Sequence, residues 1–340
     1  MRRLSFLIFG IIVTLGIIGC NDNTETHLSP RDLTISQGWP KTISSSYGEV
    51  VLSEPPKRIV STSVSITGTL LAIDAPLIAS GGTGPNTLVA DENGFFHQWS
   101  QVASDRSIKS LYQGAANAEA IAKEQPDLII VAATGGDSAV KLYQQFSVIA
   151  PTLVVNYDDK SWQELARLLA SITDREQQAE AAIRRFDAKL TALRDKISLP
   201  PQPVSAMVYY GDDRGGNFWT ESSAQGQILN ALGFIISPLP DRLKNNHQMG
   251  KRKDIVPVNG EHFADAITGR SILLFSADDT AIERVKNNKF IAYLPVIKQG
   301  NIFPMGNDSF RLDYYSSMNL LTTLESTFTP SDLEMPVGGK

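Results

Sequence analysis

The chain has 340 residues, of which 42% are hydrophobic, enough to form two domains of usual size with apolar cores. Its formal net charge is −5, and an acidic chain does not favour a nucleic-acid partner. The only cysteine is Cys20, which excludes an intrachain disulfide and any cysteine-based zinc or iron–sulfur site.

The N-terminus has the features of a secretory signal. Arg2 and Arg3 precede the largely apolar run Leu4–Ile18. This run is shorter than the roughly 20 residues of a membrane-spanning helix, so it predicts a signal peptide.

A short motif at the end of this signal concerns membrane attachment. Gly19 directly before Cys20 resembles a bacterial lipobox, in which residues 1–19 are removed and the cysteine thiol is lipidated. A plain cleaved signal with an incidental cysteine is the alternative. The polar residues 20–40 predict a flexible tether to the folded part of the chain.

Residues 41–160 predict the first α/β lobe. The run at 127–132 is continuously apolar, which is typical of a parallel strand covered on both faces. The predicted strands are Lys57–Ser61, Pro76–Ser80, Asp127–Ala132 and Pro151–Asn156. Helical segments between them indicate a doubly wound sheet with ligand-binding loops at the carboxyl ends of the strands.

One motif in this lobe suggests an enzyme. Ser138 and Lys141 match the Ser-x-x-Lys of penicillin-interacting enzymes, but the companion Ser-Asp-Asn and Lys-Thr-Gly motifs are absent. A secreted serine hydrolase is therefore the distant alternative function.

The segment 161–199 predicts linking helices. Thr173–Leu199 contains no glycine or proline, and its apolar residues recur at steps of three and four, the spacing of one helix face. Asp174 is the predicted N-cap, and Pro200 ends the helix. The pattern fits either a strut between two lobes or a long helix packed on one domain.

Residues 200–328 predict a second α/β lobe, followed by a loose tail at 329–340. The predicted strands are Val204–Tyr210, Phe234–Ile236, Ser271–Phe275 and Asn301–Met305, and the final helix ends near Phe328. The predicted fold class is therefore α/β, with two Rossmann-like lobes joined by one long α-helix.

The predicted layout and five short sequence runs resemble the periplasmic binding proteins of siderophore and cobalamin ABC importers, which are the class III type with a helical backbone. The narrower resemblance is to the ferric enterobactin-binding members of that family. The runs are Arg58–Val64, Leu71–Pro76, Thr134–Ser138, Asn156–Trp162 and Phe310–Ser316. The similarity extends over residues 39–328.

The resemblance implies a monomeric periplasmic protein, not an enzyme, that delivers a ferric catecholate siderophore to an inner-membrane ABC permease. The siderophore would hold the iron, so neither a cofactor nor a protein metal ligand is expected. A haem or cobalamin-type ligand is the alternative within the same family.

A ferric tris-catecholate is a compact aromatic anion, which requires cations and flat rings. Arg311 is the first candidate because it lies between the last predicted strand and a helix; an ion pair with Asp308 or Asp313 is the alternative. Trp219 follows a glycine-rich loop, and the alternative is a core residue.

Further candidates lie in loops and at the start of the last helix. They are Arg214, Arg242 and Arg252, for which solvated charge is the alternative, and Tyr314, with Tyr209 and Tyr315 as further phenols. Leu88 stands where the resemblance implies an arginine, so the particular siderophore remains open.

The resemblance also implies that each lobe presents a glutamate to arginines of the permease. The motifs Asn117–Ile121 and Asn259–Phe263 place these at Glu119 and Glu261. Both lie near predicted helix starts, where the helix dipole alone favours a carboxylate.

Overall fold

The computed structural model describes residues 33–211, 214–244 and 253–330. The predicted signal peptide at 1–19, Cys20, most of the predicted tether, Arg252 and most of the predicted tail lie outside the described residues. In the described part of the chain, no helix is both long enough and apolar enough to span a membrane.

The described chain begins with a three-stranded antiparallel sheet in the order β1-β2-β3. Its strands are β1 (Thr34–Ile35), β2 (Lys41–Ser45) and β3 (Gly48–Leu52). Ile43 and Leu52 are buried in the main apolar core, which holds this sheet on the protein. The prediction of a flexible tether up to residue 40 is therefore wrong at its end, because Thr34 and Ile35 already pair with β2.

A five-stranded parallel sheet forms the first lobe, in the order β6-β5-β4-β7-β8. The strands are β4 (Ile59–Ser61), β5 (Leu77–Gly82), β6 (Lys109–Gln113), β7 (Leu128–Ala132) and β8 (Thr152–Val155). Every residue of β7 and β8 is buried, as their apolar runs predict. The unpredicted β6 is a polar edge strand with no buried residue, so it carries no hydrophobic signal.

Four helices connect these strands: α1 (Val64–Ala72), α2 (His97–Asp105), α3 (Ala118–Lys123) and α4 (Tyr143–Ser147). The side chain of Ser63 caps α1, and that of Asn117 caps α3. Each cap accepts a backbone N–H that would otherwise be unpaired at the helix start.

Two helices follow the first sheet: α5 (Trp162–Thr173) and α6 (Glu176–Arg194). The predicted N-cap role of Asp174 is wrong: this residue ends α5 in the left-handed conformation, with φ 60°. The 19 residues of α6 span about 28 Å, so the helix is shorter than the predicted segment Thr173–Leu199. Because α6 contacts α1 on one side and the first helix of the second lobe, α7 (Ala224–Ala231), on the other, it is a strut between lobes.

The second sheet has the order β11-β10-β9-β12-β13. Its strands are β9 (Val204–Tyr209), β10 (Gly216–Trp219), β11 (Ile255–Val258), β12 (Ser271–Phe275) and β13 (Ile302–Pro304). Strands β9, β12 and β13 are parallel, whereas β10 is antiparallel to both of its neighbours. The glycine-rich connection after β9 is too short for a helical crossover, so this sheet is mixed rather than purely Rossmann-like.

The remaining helices of this lobe are α8 (Asp241–Lys244), α9 (Gly260–Ala266), α10 (Thr280–Lys286) and α11 (Pro295–Lys298). The predicted strand Phe234–Ile236 is reduced to a single bridge between Ile236 and Val204. The side chain of Ser223 caps α7 by accepting the backbone N–H of Gly226.

The last helix, α12 (Tyr314–Phe328), crosses back to the first lobe. It packs along α6 and also contacts α1 and α2. At its other end the ring of Phe328 lies 5.7 Å from that of Phe234 and 4.8 Å from that of Phe303, both in the second lobe. The lobes are thus joined by two adjacent helices, only one of which is a covalent linker between the sheets.

Candidate functional site

The two lobes enclose a cavity of about 920 Å³. Its first-lobe wall comes from α1, α2 and the segment from the end of β8 into α5. Its second-lobe wall comes from the end of β10, the start of α7, and the loop between β13 and α12. The cavity therefore lies largely at the carboxyl ends of the parallel strands, where ligand sites of α/β sheets usually lie.

Arg311 belongs to the second-lobe loop before α12, yet its side chain is held by the first lobe. Its Nη1 donates hydrogen bonds to Ser65 Oγ (3.1 Å) and to Tyr157 Oη, and its Nη2 lies 3.7 Å from Asp158 Oδ1. The guanidinium carbon is 4.4 Å from the centroid of the Tyr157 ring. Arg311 therefore lines the cavity, as predicted, and its ion-pair partner is Asp158 rather than Asp308 or Asp313.

A partly buried carboxylate, that of Asp137, lies behind this arginine. Tyr157 Oη donates to Asp137 Oδ1 (2.9 Å), while Asp137 Oδ2 accepts from Ser63 Oγ (2.6 Å) and the Ser65 backbone N–H (3.0 Å). Burial favours the protonated acid, but these hydrogen bonds outweigh it and hold the pKa of Asp137 below its usual value. Burial also raises the pKa of Tyr157 to about 12.

Gly135 is required by this arrangement. Its φ is 89°, and a Cβ atom there would lie 1.8 Å from Tyr157 Oη. Any other residue at this position would displace the phenol from Asp137 and from Arg311.

Aromatic side chains from both lobes supply the apolar walls. Trp219 is buried, and its ring lies 5.3 Å from that of Phe310; both residues line the cavity. Trp162, at the start of α5, lines it from the first lobe. Among the residues that the structure describes, the indole nitrogens of Trp219 and Trp162 are buried without a hydrogen-bond partner. Trp219 belongs both to the apolar core and to the cavity wall.

The charged groups that line the cavity do not give it an excess of cations. Among the described residues they are Lys160, Arg167, Lys253 and Arg311 against Asp158, Asp159, Glu164, Asp254 and Asp313. Three cations are in ion pairs: Lys160 with Asp159 (2.7 Å), Arg167 with Glu180 (2.7 Å) and Arg311 with Asp158. An anionic ligand would therefore have to share or replace carboxylate partners of these cations.

Asp313 connects the second-lobe loop to the first lobe. It caps α12 through the backbone N–H of Ser316 (2.8 Å), and its Oδ2 lies 3.5 Å from Gln98 Nε2 of α2. A Cβ atom on Gly68 of α1 would lie 2.2 Å from this oxygen, so glycine permits the close approach. Burial raises the pKa of Asp313 to about 6.

Several predicted residues do not line the cavity. Arg214 donates to the backbone oxygen of Tyr210, and Arg242 pairs with Asp265 (2.6 Å) on the surface. Arg252 lies outside the described residues. The positions of Arg214 and Arg242 fit the alternative that loop charges are solvated or locally paired.

The predicted tyrosines are also placed elsewhere. Tyr314 is the first residue of α12, so its side chain faces α5 and α6: its hydroxyl accepts from Arg185 Nε (3.2 Å), and its ring packs 5.5 Å from Trp162. Tyr209 accepts from Asn288 Nδ2 (2.6 Å), and Tyr315 packs on Tyr314. Tyr314 is predicted to contact the ligand, but it does not line the cavity in this structure.

Four further residues of the site are not predicted from the sequence: Asp137, Tyr157, Asp158 and Trp162. All four fall within the runs that carry the family resemblance, between the end of β7 or β8 and the first residue of the next long helix. A systematic search of the strand ends would have included them.

The predicted docking glutamates occupy equivalent local positions. Glu119 and Glu261 are exposed, and each is the second residue of a helix, α3 or α9, that is capped by an asparagine. Neither carboxylate forms an ion pair with a described residue.

The residues of the alternative functions are placed away from the cavity. Ser138 Oγ donates to the backbone oxygen of Ala132 (2.8 Å) and, like Lys141, does not line the cavity. Leu88 is 74% exposed and also lies outside it. Within the described ranges, no group of three or more His, Cys, Asp or Glu side chains is arranged to hold a metal ion.

A fold with two α/β lobes, a helical strut and a ligand-sized cleft is the architecture of a solute-binding protein, and comparison with known proteins gives the family. The model of the family described as periplasmic binding protein matches residues 59–309. The chain belongs to this family.

The chain is also similar to individual iron-siderophore-binding proteins. The chain is 49% identical over 290 residues to the ferric enterobactin-binding periplasmic protein FepB of Escherichia coli O6:H1 (strain CFT073), covering 85% of this chain and 91% of FepB. It is 26% identical over 214 residues to the iron(3+)-hydroxamate-binding protein FhuD of Bacillus subtilis (strain 168), covering 62% of each chain. A crystal structure of holo-ViuP superimposes with a TM-score of 0.77 at 30% identity, covering 89% of this chain and 100% of that one.

These matches confirm the predicted fold class and the narrower resemblance to ferric enterobactin-binding proteins. The relatives are binding proteins rather than enzymes.

Proposed function

We propose that this protein binds a ferric catecholate siderophore in the interlobe cavity and delivers it to an inner-membrane ABC permease. The observation that carries the proposal is the meeting of Arg311 with the rings of Trp219, Phe310 and Trp162 around one cavity. A guanidinium is suited to catecholate oxygens and flat rings to catechol faces. The iron is part of the ligand and is held by the catecholates.

Titration of the lipid-free protein tests this proposal, with intrinsic tryptophan fluorescence as the readout. Ferric enterobactin, linear ferric catecholates and a vibriobactin-type complex form the first panel, and haem and cobalamin test the alternative ligands. A neutral ferric hydroxamate is the matched control, since it carries iron without aromatic anions. Saturable binding of a catecholate and not of the hydroxamate is expected; a protein that binds no catecholate contradicts the proposal.

The role of Arg311 has its own test. Arg311→Ala removes charged hydrogen bonds to the ligand, which typically contribute about 1.5–3 kcal/mol. We expect binding of the ferric catecholate to weaken by that amount. Arg242→Ala, which removes an arginine from the same lobe outside the cavity, is the control, and an unchanged affinity of the Arg311 variant would exclude a ligand contact.

We propose further that Glu119 and Glu261 dock onto the permease. Two exposed carboxylates in equivalent positions, one in each lobe, support this role, and surface charges of this kind mainly set orientation and association rate. The double variant Glu119→Ala and Glu261→Ala should bind the siderophore normally and fail to support its uptake into cells. Glu49→Ala with Glu283→Ala, an exposed pair on the same lobes, is the control; unimpaired uptake by the first variant would contradict docking.

Membrane attachment through Cys20 is the last part of the proposal. The lipobox-like Gly19-Cys20 pair supports it, and the polar segment after it would act as the tether. Cys20→Ser should release the protein from the membrane fraction. Mass spectrometry of the mature N-terminus separates the two readings, because a plain cleaved signal would leave an unmodified thiol.

A further inference from the structure

We infer that Tyr157 and Asp137 are positioning residues that hold the Arg311 guanidinium in the cavity before ligand arrives. This inference rests on the proposed function, in which Arg311 receives the anionic ligand. It assigns a role to two first-lobe side chains that act on an arginine of the second lobe.

The carboxylate of Asp137 sets the direction of the hydrogen bonds that lead to Arg311. The pKa of Asp137 lies below its usual value, so this carboxylate is ionised and only accepts. Its Oδ2 is taken by Ser63 Oγ and the Ser65 N–H at the start of α1, where the helix dipole also favours negative charge. Its Oδ1 therefore receives the phenol hydrogen of Tyr157 (2.9 Å).

Because the phenol hydrogen is committed to Asp137, the free lone pairs of Tyr157 Oη face Arg311. Nη1 of Arg311 donates to this oxygen and to Ser65 Oγ (3.1 Å), and the guanidinium lies over the Tyr157 ring at 4.4 Å. The guanidinium is thus fixed by hydrogen bonds on one edge and by a ring on one face.

The opposite edge of the guanidinium remains available. Within the part of the chain that the structure describes, Nε and Nη2 of Arg311 make no hydrogen bond, and Nη2 has only the longer contact with Asp158 at 3.7 Å. The side chain keeps 36% of its surface exposed. An arginine ordered in advance loses less conformational entropy when it binds an anion.

Tyr157 also lines the cavity, so a direct contact between its phenol and the ligand must be distinguished from positioning. A residue that acts only through Arg311 has no effect once Arg311 is removed. A direct contact or a general structural role would persist without the arginine.

The test is a double-mutant cycle with ferric enterobactin as the probe, using wild type, Tyr157→Phe, Arg311→Ala and the double variant. We expect Tyr157→Phe to weaken binding about fivefold to tenfold in the wild-type background, and to change it less than twofold in the Arg311→Ala background. Asp137→Asn is the second variant, and the same dependence on Arg311 is expected. Tyr112→Phe is the matched control, since its phenol donates to the Thr62 backbone oxygen (3.1 Å) and does not contact Arg311.

Equal losses in both backgrounds, or no loss in either, would overturn the inference while leaving the proposed function standing. A wild-type protein that binds no ferric catecholate would instead contradict the proposed function, and the inference would fall with it. Thermal unfolding of every variant is measured alongside. If Tyr157→Phe does not fold, Asp137→Asn replaces it in the double-mutant cycle.

Discussion

At the scale of single residues, Asp158 is the carboxylate next to Arg311, and it would oppose an anion bound there. Its carboxylate lies 3.7 Å from Nη2 of Arg311, where a catecholate oxygen would otherwise approach, and it adds negative charge to the cavity wall. The contact of Arg311 with Asp158 therefore competes with the ligand, unlike its contact with Tyr157.

We predict that Asp158→Asn strengthens the binding of ferric enterobactin by up to about fivefold, the upper end of the range for a partly exposed ion pair. The gain should shrink at high salt, because screening weakens the repulsion. Asp105→Asn, the same charge change on the first lobe outside the cavity, should have little effect. Weaker binding by Asp158→Asn would show that this carboxylate helps to orient Arg311.

A second residue-scale prediction concerns Asp313 and pH. Since burial raises its pKa from an ordinary 3.8 to about 6, the folded state binds this proton more tightly than the unfolded state does. The free energy of unfolding therefore decreases by on the order of 3 kcal/mol as pH rises from about 4 to above 6.

Asp313→Asn removes this charge, and asparagine still caps a helix. The free energy of unfolding of the variant minus that of wild type should rise between pH 4 and pH 7, as measured by denaturant titration at each pH. Taking this difference removes the part of the Asp308 contribution that is independent of Asp313; burial raises the pKa of Asp308 as well. A difference that is flat across this range would contradict the buried ionisation of Asp313.

At the scale of elements, some buried strands are predicted from the sequence with nearly correct bounds, whereas other strands are missed. Strand β12 was predicted to the residue, and β7 within one, because both are uninterrupted apolar runs. Strands β6 and β10 were not predicted: one is a polar edge, and the other lies in a short hairpin. Asp174 looked like an N-cap because aspartate favours both helix starts and the left-handed conformation, and only the backbone distinguishes them.

That distinction predicts opposite effects of one substitution at two exposed sites. Asp174→Gly should raise the free energy of unfolding by about 0.5 kcal/mol, because glycine adopts φ 60° without strain. Asp187→Gly, inside α6, should lower it by about 0.5 kcal/mol through reduced helix propensity. Denaturant midpoints measure both, and a loss at residue 174 would indicate a capping role after all.

The site shows the same limit of sequence reasoning. Arg311 could be predicted because it lies in a family-like run between the last strand and the last helix, and Trp219 because it follows a glycine-rich loop. Arg214 and Arg242 could not be separated from them, since a loop charge gives no sign of whether its partner is a ligand, a backbone oxygen or Asp265.

At the scale of the whole molecule, α6 and α12 run together between the lobes. The strut was predicted; the second helix was not, because its apolar residues do not indicate which lobe they will cover. Two packed helices resist rotation of the lobes more than one does, and small shear of packed helices is the motion they allow.

We therefore expect X-ray scattering curves of the protein with and without saturating ferric catecholate to be nearly superimposable. Phe328→Ala removes the ring that anchors α12 between Phe234 and Phe303. This variant should lose about 3 kcal/mol of stability and show a larger ligand-dependent change. A marked compaction of the wild-type protein on binding would contradict the restriction of lobe movement by α6 and α12.

The two packed helices α6 and α12 also affect the spacing of Glu119 and Glu261. Each is fixed at the start of a helix on a different lobe, so the separation between them changes only when the lobes rotate. A permease that engaged both carboxylates would meet almost the same spacing on an empty and on a loaded protein. Empty copies would then compete for the importer, and discrimination in favour of cargo would have to come from the mouth of the cleft rather than from the distance between the two anchors.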